Sequence, residues 1–85
     1  MEMVFRYTGH QVPRGARPDA ETYDKLYLIK NVSELRATYQ VRLLAYRAQQ
    51  EGKKLVIRLP KGAKQHSSLR MLRRECGNRI KVERT

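Results

Sequence analysis

The sequence predicts a small α/β domain, a two-layer sandwich in which a mixed four-stranded sheet carries two main helices on one face. Between residues 25 and 84, stretches with strand composition alternate with helix-like stretches in the order strand, helix, strand, helix, strand. This alternation is typical of parallel strands joined by right-handed crossovers. The chain has 85 residues, enough for one hydrophobic core. We therefore expect residues 1–85 to form a single domain.

The N-terminal residues predict one further strand and a long connection. Residues 3–8, MVFRYT, predict a further strand, for which we expect an edge position and an antiparallel direction. Residues 9–24 are too long for an ordinary connector. They form either a mobile loop or a loop with a short helix that Asp19 caps. Residues 25–31, KLYLIKN, predict the first of three parallel strands.

A long helix is predicted for residues 33–51. This stretch contains neither glycine nor proline, and Ser33 is a residue type that caps helix N-termini. Glu34 would lie in the first turn, where a negative charge is favourable. Gly52 supplies the residue that commonly ends a helix.

The C-terminal part predicts a strand, a helix and a last strand. Residues 54–59 place apolar side chains on one face and mainly charged ones on the other. A sheet covered by helices on both faces would be apolar on both, so we expect the two helices to share one face. Residues 67–76 predict the second helix, capped by His66 or Ser67. Residues 79–84 alternate apolar and charged side chains, which is typical of a strand.

Positive charge is concentrated in the last third of the chain. Residues 53–85 contain eleven Lys and Arg but only two Asp and Glu, and so carry nine of the eleven excess positive charges. Such an asymmetric distribution attracts polyanions. Because 12 of the 19 cations are arginine, whose planar fork matches phosphate oxygens, we expect a nucleic-acid-binding domain that contacts phosphates with little sequence specificity. The predicted contacts are Lys54, Arg58, Lys61, Lys64, Arg70, Arg74 and Lys81.

The connection PKGAKQHSS, from the strand into the second helix, predicts a phosphate loop. Helix N-termini present free N–H groups with partial positive charge, and His66, Ser67 and Ser68 would surround that point. The spacing of a nucleotide-binding loop is absent. The alternative is that Ser67 only caps the helix while the lysines remain in solvent.

The long helix carries apolar side chains on two nearly opposite stripes. One stripe consists of Leu35, Tyr39, Leu43 and Tyr46, and the other of Ala37, Val41, Leu44, Ala45 and Ala48. One stripe packs on the sheet, and the sequence does not decide which. The other is covered either by the N-terminal residues or by a partner. The alternative function is therefore a homodimeric or protein-interaction module that docks an acidic partner, with Leu35, Tyr39, Leu43 and Tyr46 as its interface.

Neither a catalytic motif nor a metal-ligand spacing is present in the sequence, so we expect no enzymatic activity, metal or cofactor. A small enzyme for a phosphorylated ligand, using Lys61, Lys64, His66 and Ser67, remains a third interpretation. Cys76 is the single cysteine and predicts a reducing, cytoplasmic setting. No apolar run has the length of a membrane span, so no membrane partner is expected. Whether the polyanion is RNA, DNA or an acidic protein stays open.

Overall fold

A computed structural model describes residues 17–85 of the chain. The strand predicted at residues 3–8 and the first part of the predicted loop at 9–24 lie outside these residues. The elements in chain order are β1 (Ala20–Glu21), β2 (Lys25–Ile29), β3 (Glu34–Leu35), α1 (Tyr39–Glu51), β4 (Lys54–Leu59), β5 (Lys64–Gln65), α2 (Ser67–Cys76), a 3₁₀ turn (Gly77–Arg79) and β6 (Ile80–Arg84).

The main sheet has the strand order β1-β2-β4-β6. The last three strands are parallel, and β1 is antiparallel to β2. Both helices contribute buried side chains to one core cluster with the same face of the sheet. The predicted α/β fold, with a mixed four-stranded sheet and two helices on one face, is confirmed. The core face of the sheet is formed by Leu26, Leu28, Leu55, Ile57, Leu59, Ile80 and Val82.

Helix α1 packs on the sheet through the stripe that contains Val41, Leu44, Ala45 and Ala48. Its N-cap is Thr38, whose hydroxyl oxygen accepts a hydrogen bond from the Val41 amide at 3.3 Å. The predicted start at Ser33 is therefore wrong. The predicted end is confirmed, because Gly52 adopts the left-handed conformation at φ 68° that favours glycine.

Glu34 and Leu35, inside the stretch predicted to be helical, instead form a strand because they pair with the connection after β4. Strands β3 and β5 form a separate parallel ribbon in which Glu34 lies beside Lys64. The Lys64 amide donates to the Ser33 carbonyl at 2.8 Å, and the His66 amide donates to the Leu35 carbonyl at 2.9 Å. Leu35 enters the core from this ribbon. The ribbon ties together the two connections at the carboxyl edge of the sheet.

Residues 19–24 form a hairpin with β2, so the short helix considered for them is wrong. Ala20 pairs with Tyr27, and an Asp19 carboxylate oxygen accepts from the Ile29 amide at 2.7 Å. The turn is held by Thr22, whose hydroxyl oxygen accepts from the Lys25 amide at 3.1 Å. In the described part of the chain, the fourth strand of the sheet is thus β1.

A cluster of charged side chains attaches this hairpin to the end of α1. Glu21 accepts from Lys53 Nζ at 2.5 Å and from Arg47 Nη2 at 3.0 Å, and Arg47 also bonds Glu51. The hydrogen bond from Lys53 is the largest effect that lowers the pKa of Glu21. Glu21 and Glu51, two of the eight acidic residues of the chain, are therefore paired with cations at the end of the molecule opposite to the ribbon.

Candidate nucleic-acid interface

A cleft of about 710 Å³ lies at the carboxyl edge of the sheet, between the β3–β5 ribbon and the first turns of α2. Of the described residues, four Lys or Arg side chains and a single carboxylate line it. We call it the basic cleft. It is lined by Glu34, Ala63, Lys64, Gln65, His66, Ser67, Arg70, Arg73 and Arg84.

The chain reaches this cleft through a tight turn after β4. The Ala63 amide donates to the Pro60 carbonyl at 3.1 Å, and Ala63 is buried in the core. Arg84 at the end of β6 donates through Nη1 to the carbonyls of both Pro60 and Ala63. The last strand thus holds the turn in place, and β5 follows directly from it into the ribbon.

His66 is the N-cap of α2, and its ring accepts through Nδ1 from the Ser68 amide at 3.1 Å. This acceptor role assigns the ring proton of the neutral histidine to Nε2. The Ser68 hydroxyl lies 2.9 Å from the same Nδ1 and accepts from the Ala37 amide at 3.0 Å. Ser68 therefore joins α2 to the residue that precedes the cap of α1.

The first N–H groups of α2 are largely used within the protein. The Ser68 amide donates to the His66 ring, and the Leu69 and Arg70 amides donate to the His66 carbonyl at 2.9 and 3.1 Å. Of the predicted phosphate loop, Ser67 is exposed, whereas His66 and Ser68 are partly buried and take part in capping. An anion in the cleft would therefore be met mainly by side chains.

Four of the seven predicted contact residues lie on this side of the molecule. Lys64 and Arg70 line the basic cleft. Arg74 is exposed one helical turn beyond Arg70, and Lys61 is exposed in the turn that leads to β5.

The other three lie on the opposite face of the sheet or at its far end. Arg58 and Lys81 alternate with core residues, so they face away from the helices. Arg58 donates to Glu83 at 3.1 Å, and Lys81 forms an ion pair with Glu83 at 3.6 Å. The Arg58 guanidinium also lies 5.1 Å from the centre of the Tyr27 ring. The hydrogen bond from Arg58 lowers the pKa of Glu83. Lys54 begins β4, at the amino end of the strand.

Two cleft residues, Arg73 and Arg84, are absent from the predicted contact set. Arg73 Nη1 donates to Gln65 Oε1 at 2.8 Å, which turns its guanidinium toward the ribbon. Its position three residues after Arg70 is the one signal for it in the sequence, since residues three apart share a helix face. The position of Arg84 follows from its contacts with the turn after β4, which no local pattern reveals.

The cleft cations and their neighbours are not neutralised by the carboxylates in the described part of the protein. Between residues 17 and 85 no ion pair involves Lys61, Lys64, Arg70, Arg73, Arg74 or Arg84. The one cleft carboxylate, Glu34, lies 4.0 Å from Arg36. This side of the molecule therefore retains a net positive charge.

The predicted protein interface is not one exposed surface. Leu35 lies in β3 rather than in α1 and is only 4% exposed, and Leu43 is only 2% exposed. Tyr39 is 59% exposed at the start of α1, and Tyr46 is half-buried. Two of the four residues thus present almost no surface to a partner.

Residues 17–85 also contain the single cysteine and several side chains of the types that bind metals. Cys76 is half-buried against the core, and burial raises the pKa of its thiol. Among residues 17–85, no three His, Cys, Asp or Glu side chains are grouped as metal ligands would be. The helices of this same part of the chain are too short or too polar to cross a membrane.

The geometry is thus a preformed cleft with uncompensated positive charge, and its contacts come from β5, α2 and β6. The positions of these three elements along the sequence do not show that their side chains line one cleft. Compared with protein-family models, curated proteins and solved structures, the chain has no match.

Proposed function

We propose that this protein binds nucleic acid by its phosphates, in the basic cleft and along the adjoining face of α2, with little base specificity. The observation that supports this proposal is the segregation of charge. Cations at the cleft and on α2 have no carboxylate partner in the described residues, whereas Arg58 and Lys81 on the other face share Glu83. The proposal therefore narrows the predicted contact set to Lys61, Lys64, Arg70 and Arg74, and adds Arg73 and Arg84.

The arrangement of these side chains favours an extended polyanion over a small ligand. Arg70 and Arg74 are one helical turn apart, roughly 5–6 Å between their Cβ atoms, so they can reach neighbouring phosphates of one strand. Lys64 lies across the cleft on β5, and Lys61 continues the positive surface beyond it. Contacts of this kind fix the position of a backbone without distinguishing its bases.

The lining also indicates which parts of a nucleic acid the protein would contact. Among residues 17–85, the cleft lining contains no Phe, Tyr or Trp, so base stacking on these residues would contribute little. Affinity would come from phosphate neutralisation and would fall as salt concentration rises. An acidic protein would contact the same cations. A direct titration with nucleic acid distinguishes these two classes of partner.

The test is a titration of short single-stranded RNA and DNA, followed by fluorescence anisotropy, at about 50 and 200 mM salt. We compare the wild type with two double variants that remove the same amount of charge. The cleft variant is Lys64→Gln with Arg70→Gln, and the control on the opposite face is Arg58→Gln with Lys81→Gln.

We expect the cleft variant to bind more weakly and the slope of log K against log salt to become shallower by about 1.4, or about 0.7 for each phosphate that is no longer neutralised. The control variant keeps most of the wild-type slope. Absence of binding at low salt would remove the proposal and leave the acidic-protein alternative. Equal reductions in both variants would show that binding is not localised at the cleft.

A further inference from the structure

We propose that the basic cleft contains a discrete subsite for one phosphate group, in which the guanidinium of Arg73 is the principal ligand. This inference rests on the proposed function, because it names the part of the nucleic acid that enters the cleft. The group is either an internal phosphodiester or a terminal phosphate. The two have the same recognition chemistry and are separated by the choice of probe.

Arg73 is held at the cleft with part of its hydrogen-bonding capacity unused. Nη1 donates to Gln65 Oε1 at 2.8 Å. Nε is the one buried side-chain nitrogen or oxygen without a hydrogen-bond partner in the described part of the chain. Buried polar atoms almost always have partners, so an orphaned donor on a cleft residue leaves a place for an acceptor from outside the chain.

The unused edge of the guanidinium has the geometry that phosphate requires. With Nη1 bound to Gln65, the remaining edge consists of Nε and Nη2, whose N–H bonds point in the same direction. Two parallel N–H donors match two oxygens of a phosphate or carboxylate. Nε is covered in this structure, so an anion that contacts both donors requires the guanidinium to turn toward the cleft.

Other arginines of the protein use the same atom differently. Arg42 Nε donates to the Ala37 carbonyl at 3.3 Å, Arg47 Nε to Glu51, and Arg58 Nε to Glu83. All three have an acceptor within the chain. Arg73 therefore differs from them in geometry as well as in location, and they provide internal references.

The surroundings of Arg73 select for a group with negative charge. Lys64 and Arg70 line the same cleft, and the exposed Ser67 hydroxyl is a further donor. Glu34 is the one carboxylate that residues 17–85 contribute to the lining. A phosphate that bridges Arg73 and either of the two other cations would satisfy the orphaned donor and neutralise part of the local charge.

The test observes the Nε–H signals of the arginines by NMR in the nitrogen-15-labelled full chain. Three probes are titrated: inorganic phosphate, a short single strand with a terminal phosphate, and the same strand with a terminal hydroxyl. The Arg73 signal is assigned from its disappearance in Arg73→Lys. We expect it to shift and to exchange more slowly with water, while the Arg58 signal stays unchanged.

The choice of probe identifies the source of the phosphate. A response to both strands indicates an internal phosphodiester, and a response confined to the phosphorylated strand and inorganic phosphate indicates a terminal group. Arg73→Lys keeps the charge but removes the paired donors, so affinity for the effective probe falls about tenfold. The control variant Arg58→Lys, whose side chain pairs with Glu83 on the opposite face of the sheet, changes it by less than about twofold.

Two outcomes separate this inference from the proposed function. If the strands bind while the Arg73 signal does not move, the subsite is refuted and nucleic-acid binding stands. If inorganic phosphate moves the Arg73 signal and neither strand binds, the subsite stands and the proposed function fails. An unmoved Arg73 signal with every probe overturns the inference.

Discussion

Replacing Ser68 with alanine separates two roles for this residue, a contact to phosphate or a part of the scaffold. The Ser68 hydroxyl oxygen accepts from the Ala37 amide at 3.0 Å, across 31 positions of sequence. It also lies 2.9 Å from the ring of His66. The alanine variant leaves the Ala37 N–H without its acceptor, at the junction between α2 and the start of α1.

The expected decrease in stability follows from these contacts. A buried N–H deprived of its acceptor costs about 1–3 kcal/mol, and the lower part of this range applies because the bond is only partly buried. Alanine favours a helix over serine by up to about 0.5 kcal/mol, which offsets part of the cost. The net destabilisation is about 1 kcal/mol, and for a domain of this size the melting temperature falls by roughly 4–8 °C.

Urea denaturation followed by circular dichroism measures this change, and the salt dependence of single-strand binding is measured on the same variants. We expect Ser68→Ala to be less stable than the wild type but to keep its salt slope. Ser67→Ala is the matched control, because Ser67 is exposed and its replacement should change stability by less than about 0.5 kcal/mol. Equal stability of the two variants, or a shallower salt slope for fully folded Ser68→Ala, would contradict a scaffold role for Ser68.

Glu34→Gln removes the carboxylate that the described residues contribute to the cleft lining. Single-strand binding at low salt should become about twofold to fivefold tighter, as expected for an exposed charge. Unchanged or weaker affinity would contradict this expectation. Thr38→Ala should cost about 1 kcal/mol of unfolding free energy in urea, while Ser33→Ala should have little effect, and the reverse order would show that the cap is misplaced. The pKa values of Glu21 and Glu83 lie below the ordinary value of 4.5. The stability that these two ionised carboxylates add to the folded protein is therefore fully present above pH 4.5 and is lost as the pH falls through their lowered pKa values. The double variant Glu21→Gln, Glu83→Gln should flatten the acid limb of a stability profile, and an unchanged limb would exclude these two carboxylates as its origin.

The parts of the fold that the sequence predicts correctly are those with long apolar patterns. Strands β2, β4 and β6 and the body of α1 each bury several side chains in one core, so burial and local pattern agree. The predicted start of α1 at Ser33 is wrong. Ser33 and Thr38 are both residue types that cap helix N-termini, so residue type alone does not select Thr38. The choice between them depends on the pairing of β3 with β5, which lies about 30 residues away and involves two residues in each strand.

The candidate site, like the fold, depends partly on local sequence patterns and partly on contacts between residues that are distant in sequence. The charge of residues 53–85 indicates a basic surface, but a sum over a segment does not say which face each cation occupies. In the parallel register Arg58 pairs with Glu83, so part of the predicted surface has its own counter-charge. Arg73 and Arg84 join the cleft through contacts that only the folded chain supplies.

The parallel ribbon also affects how a ligand would associate. The amides of Lys64 and His66 are bonded to carbonyls of the segment before α1, so the connection after β4 is fixed in the free protein. A ligand would then lose little affinity to ordering of this backbone. With this backbone already fixed, the association rate would be set mainly by long-range electrostatic attraction.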